Sequence, residues 1–120
     1  MTESYRKLLF DNPGYKFTNV TKFLGEGSTD HSMARINLKE IRDNLDVFTT
    51  ALVSLMVDVS GIEGTLDGLK YPMGRLESYL ESPAQSGLTD QDACIFIYYM
   101  LSSYEELIGM AEELDEELKR

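Results

Sequence analysis

The chain has 120 residues, a formal net charge of -10, one Cys, one His and no Trp. Its length fits one domain, since domains usually run to roughly 100–150 residues. A single Cys forbids an intrachain disulfide, the lone Cys and His argue against a zinc site of about four ligands, and the acidic balance argues against a general nucleic-acid binder.

The first residues, Met1-Thr2-Glu3-Ser4-Tyr5-Arg6-Lys7, lack the apolar stretch of a signal peptide. The longest apolar run, Ala93 to Leu101, falls far short of the roughly 20 residues that span a bilayer. A soluble cytoplasmic protein with no membrane contact is expected. Cys94 sits inside that run and reads as a buried thiol. Charge is uneven. Residues 1–42 carry seven basic and five acidic side chains, a net of +2, whereas the rest carries -12. A mildly basic head precedes a strongly acidic body.

Residues 1–36 form an N-terminal portion of short helix, arm and loop. Thr2 can cap a short helix over Glu3 to Phe10. Asp11-Asn12-Pro13-Gly14 is a turn signal, because Pro and Gly supply turn dihedrals. Tyr15 to Leu24 mixes aromatic, basic and β-branched residues and reads as an irregular, extended arm. Gly25 to Ser32 reads as a loop.

From residue 37 the pattern changes. Asn37 with Glu40 resembles a capping box. Apolar residues then recur at Leu38, Ile41, Leu45, Phe48, Leu52, Leu55, Val59, Ile62, Leu66, Leu69, Met73, Leu76 and Leu80. The steps of three and four never break, and such a run arises by chance on the order of once in 10⁵ per frame. It is a heptad seam. Gly61, Gly64, Gly68, Pro72 and Gly74 fall within it, yet none takes a seam position. Loops have no reason to keep heptad phase, so one long helix over 37–82 is expected, softened at Gly61–Gly64 and kinked at Pro72. The alternative is two helices joined at Gly61–Gly64.

Ser82 to Gly87 ends that helix, and Thr89 with Asp92 starts a last helix over 89–119. Ala93, Ile97, Met100, Tyr104, Leu107, Ala111, Leu114 and Leu118 continue the alternation. The fold class is all-α, with residues 37–120 forming an antiparallel coiled-coil-like hairpin within a single domain.

Two stretches are apolar beyond the seam. One includes Phe48, Leu52, Leu55, Met56 and Val57, and the other Phe96, Tyr99 and Met100. A two-helix hairpin cannot cover both, so these residues are expected to form the interface of a homo-oligomeric helical bundle. The rival is a monomer whose N-terminal third folds over them.

For chemistry, Lys22, Gly25, Gly27, Ser28, Thr29 and Arg35 are the candidate ligand-binding residues. Glycine backbone and hydroxyl donors can cradle a phosphorylated small molecule or nucleotide, with two cations nearby. The stretch is not a P-loop, since no Gly-Lys-Ser/Thr follows it. His31 reads as an exposed loop residue, and Tyr98, Tyr99 and Tyr104 as interface or core aromatics. The acidic run Glu105 to Glu117 reads as a solvated face, since the facing seam offers no metal ligand. No catalytic residue, metal or cofactor is expected.

The expected function is a non-enzymatic acidic oligomer acting as a protein-interaction or inhibitory module. A small-molecule binder built on the 25–32 loop is the alternative. A DNA-mimic inhibitor of a nucleic-acid-binding protein is the next, without direct nucleic-acid contact.

Overall fold

The computed structural model describes residues 4–10, 12–22 and 32–119. Among these every regular element is helical, and no strand is present. A 3-10 turn, Arg6–Leu8, precedes α1 (Pro13–Lys22), α2 (Ser32–Leu52), α3 (Ser60–Glu81), α4 (Pro83–Ser86) and α5 (Asp90–Leu118).

The heptad seam is the core. Leu38, Ile41, Leu45, Phe48 and Leu52 are buried on α2. Ile62, Leu66, Leu69, Met73, Leu76 and Leu80 are buried on α3, and Ala93 through Leu114 at the same spacing on α5. Each helix therefore buries one stripe and exposes the rest. Along α3 and α5, Thr65 lies beside Met110 and the Tyr71 ring beside Phe96, with centroids 6.3 Å apart.

The single helix over 37–82 is not found. The chain leaves helix after Leu52 and re-enters it at Ser60. The break precedes Gly61–Gly64, which lie inside α3. Two causes explain the misplaced expectation. The connection 53–59 is seven residues long, so a loop of one heptad carries the phase across unchanged. It also contains Val53, Val57 and Val59, whose branched side chains lose rotamer freedom in a helix. Asp58 then serves the new helix, its Oδ1 accepting the Ser60 backbone N–H at 3.0 Å. Pro72 sits within α3, as the phase argument requires, and is buried.

Asn37 does not begin a helix. α2 starts at Ser32, and Asn37 is a buried polar residue inside it. Its Nδ2 donates to the Met33 carbonyl at 2.8 Å, and its Oδ1 accepts from Asn19 Nδ2 at 3.5 Å. The predicted start of the last helix is present: Thr89 and Asp92 form a reciprocal capping box. Gly87, at φ 77°, ends α4 in the left-handed conformation that glycine adopts without Cβ strain.

The N-terminal third differs most from its sequence reading. Residues 13–22 form helix α1 rather than an extended arm. Pro13 at its start is compatible with helix because the first N–H groups lack helical partners anyway. Phe17 and Val20 are one turn apart and fully buried, so packing overrides the weak propensities of Thr18, Val20 and Thr21. The expected helix over 3–10 shrinks to the 3-10 turn, flanked by buried Tyr5 and Leu9.

Both segments pack on the later helices from within the chain. The Phe17 ring meets Tyr104 edge-on at 5.8 Å, Phe10 stacks on the same Tyr104, and Tyr5 meets Phe48 edge-on. The particle is long and narrow, 52 × 22 × 19 Å. No helix of the described residues is long and apolar enough to cross a membrane.

Candidate interaction face on the last helix

α5 is the longest element, and its two sides have opposite chemistry. Its inner side is continuous core. Its outer side carries Ile95, Tyr99, Ser102, Glu106, Gly109, Glu113 and Glu117 at steps of three and four, one stripe along the helix. The first two turns of this stripe are apolar. Ile95 is 60% exposed, Tyr99 56%, and the neighbouring Tyr98 77%. The later turns are acidic, and Glu105, Glu106, Glu112, Glu113, Glu116 and Glu117 are all exposed.

The sequence pattern places these residues outward because the seam consumes the opposite side. Tyr104 and Met100 point inward one helical step away and are fully buried. Tyr104 is also the polar anchor of the core: its hydroxyl accepts the Phe10 backbone N–H at 3.2 Å. Burial pushes its phenol above the usual value, which keeps it neutral.

The candidate interface residues therefore divide. Phe48, Leu52 and Met100 are buried in the chain's own core and cannot present a surface. Leu55, Val57 and Phe96 are half-buried and pack on that core. Met56 and Tyr99 remain open, Met56 at 98%. Of the residues that cover that core, Phe17 and Val20 lie in the stretch read as an arm, and Tyr5 and Leu9 in the expected short helix over Glu3 to Phe10. The spacing at 17 and 20 was the available signal.

Of the candidate ligand-binding residues, Lys22 and Arg35 lie among the described residues. Gly25, Gly27, Ser28 and Thr29, with His31, lie outside the described residues, and Lys22 closes α1. The Arg35 guanidinium donates to the Leu80 carbonyl at the end of α3. The groove beside Arg35 also holds Asp43, Glu77 and Glu81, carboxylates that oppose a phosphate. Arg42 is paired with Glu77 there, and that hydrogen bond raises its already high pKa.

Cys94 is half-buried, less enclosed than its apolar run suggested. Among the described residues no cluster of three or more His, Cys, Asp or Glu is placed to hold a metal ion. No protein-family model, no curated protein and no solved structure matches the chain.

Proposed function

We propose that the chain is a non-enzymatic, acidic helical interaction module that docks a protein partner on the outward stripe of α5, by recruitment or by inhibition. The observation that carries this reading is the exposure of Ile95, Tyr98 and Tyr99 side by side on a helix whose inner seam is already complete. Clustered exposed aromatics mark interaction surfaces, and Tyr is among the residues that dominate binding energy. The reading includes α3 and α5 as an antiparallel coiled-coil-like pair that holds this stripe rigid. Tyr71 beside Phe96 and Thr65 beside Met110 support that pairing.

The test places a photoreactive side chain at position 98, and separately at position 46 on the outer side of α2, in extract of the source cells. A discrete adduct at 98, absent at 46 and abolished by Tyr99→Glu, is expected. Equal labelling at both positions, or an adduct indifferent to Tyr99→Glu, contradicts the reading.

A second reading, self-association, is favoured by the 53–59 connection. Val53 is 81% exposed there beside Met56, with Leu55 and Val57 half-buried below them. It predicts that Met56→Glu with Val57→Glu lowers the mass seen by light scattering while helix content survives. An unchanged mass removes it.

A further inference from the structure

We infer that the partner of the α5 stripe is a cationic amphipathic helix, apolar at one end and rich in Lys or Arg at the other. This rests on the docking reading above and names its occupant.

The apolar half alone is too small. A large aromatic side chain offers roughly 150–250 Å² when fully buried. The exposed parts of Ile95, Tyr98 and Tyr99 therefore come to on the order of 400 Å². A stable interface covers about 800 Å² per partner. A docked segment that follows α5 gains the remaining area over Ser102 and Gly109 and reaches the carboxylates. A side chain at Gly109 would meet nothing within 4 Å, so the stripe is open there.

The carboxylates define the charge of that segment. Glu106, Glu113 and Glu117 lie on the stripe, with Glu105 beside it. Among the described residues no cation pairs with any of these four. The cations nearby are engaged elsewhere: Arg6 lies 3.4 Å from Glu112, and Lys119 lies 3.5 Å from Glu116. Glu113 and Glu117 are also like charges one turn apart, a destabilising arrangement. They stand near the helix C-terminus, where the macrodipole already adds negative potential. Desolvating these groups requires incoming positive charge.

A second copy of the chain fits poorly. Full overlap of two stripes would bury carboxylates against tyrosines or against each other. Overlap of the apolar halves alone returns to the small area above. A helix of opposite charge pattern satisfies both halves at once.

The probe is a fluorescent 20-residue synthetic helix with Leu and Phe in its terminal two turns and Lys on the same face beyond. Its control carries Glu in place of Lys. The full chain is titrated by anisotropy, and helix content is followed by circular dichroism. We expect the Lys probe to bind and the Glu control not to bind. Glu106→Lys with Glu113→Lys and Glu117→Lys should weaken binding at least 30-fold while raising thermal stability. Tyr98→Ala with Tyr99→Ala should weaken it at least 10-fold, and raising NaCl from 50 to 300 mM at least 10-fold. Asp46→Lys with Glu63→Lys and Glu81→Lys makes the same charge change elsewhere and should alter binding less than threefold.

Equal losses from the two charge-reversal triples would overturn the inference as non-specific attraction. So would failure of the Lys probe to bind, or binding indifferent to salt. If the position-98 adduct forms while the Lys probe fails, the docking face stands and the cationic occupant does not. A dimer dissolved by Tyr98→Glu, with no probe binding, would replace the cationic helix by a second copy.

Discussion

The carboxylate of Asp115 accepts the backbone N–H of Tyr5 at 2.7 Å, joining residues 110 positions apart. The same side chain accepts from Ser4 Oγ at 2.6 Å and from the Arg6 N–H at 3.0 Å. One carboxylate on α5 thus caps the 3-10 turn, whose own N-cap residue, Tyr5, makes no capping bond. It places Tyr5 against Phe48 and its hydroxyl on the Ala51 carbonyl.

Asp115→Ala should therefore cost about 2 kcal/mol, since it strips three donors of a charged acceptor. Hydrogen exchange at residues 5–9 should rise well before that of α3. The wild-type contribution should also depend on pH. Burial opposes ionisation of Asp115, but the bonds from Ser4, Arg6 and Tyr5, helped by the Lys119 charge, outweigh it and hold the carboxyl below its usual 3.8. A depressed value means that the stabilisation is complete above the unfolded value and is lost as pH falls through the lower, folded one. Acid melts of wild type and Asp115→Asn should converge below pH 3.8. Parallel curves would show that Asp115 does not hold the segment by its charge.

Tyr104 should govern the alkaline limb. Its folded pKa lies above the usual 10.0 because burial disfavours the phenolate. The stability it brings is complete below that value and falls as pH rises through the higher, folded one. Tyr104→Phe should cost about 1 kcal/mol at neutral pH by leaving the Phe10 N–H without its acceptor. It should also flatten the decline above pH 10. Stability measured by urea unfolding at pH 7 and pH 10.5 checks both.

Truncations should separate core from surface. Phe48 is fully buried, so Phe48→Ala should cost about 3–5 kcal/mol through lost transfer energy and a cavity. Tyr99→Ala, on the open stripe, should stay within about 0.5 kcal/mol. Comparable losses at both sites would mean that Tyr99 is packed rather than exposed.

The glycines of α3 offer the opposite sign. A Cβ at Gly61, Gly64 or Gly68 would meet nothing within 4 Å. Each Gly→Ala should stabilise the chain by about 0.5–1 kcal/mol, read as a raised denaturant midpoint with an unchanged slope. A fall in stability at any of them would reveal a close neighbour on that face.

The core was legible because a heptad seam is a property of one helix at a time. Leu38 to Leu52, Ile62 to Leu80 and Ala93 to Leu114 kept their phase whatever the tertiary arrangement. The hairpin-and-oligomer expectation depends on what covers the seam. That depended on Tyr5, Leu9, Phe17 and Val20, scattered across a stretch of weak propensity and turn residues. A seven-residue loop is invisible to a seven-residue repeat, which hid the break at 53–59. The outward stripe of α5 was legible in part. Tyr99 stood among the interface candidates, but its neighbours Phe96 and Met100 turned out to serve the core, and Ile95 and Tyr98 took the open positions.

The most direct test of the docking stripe is amide chemical-shift mapping of the labelled chain during titration with the Lys-bearing probe helix. The account predicts that the largest shifts fall on Ile95, Tyr98, Tyr99, Ser102, Glu106, Gly109 and Glu113, with α2 unmoved. Shifts centred on the outer side of α2 or on the 53–59 connection, or no shifts at all, would contradict it.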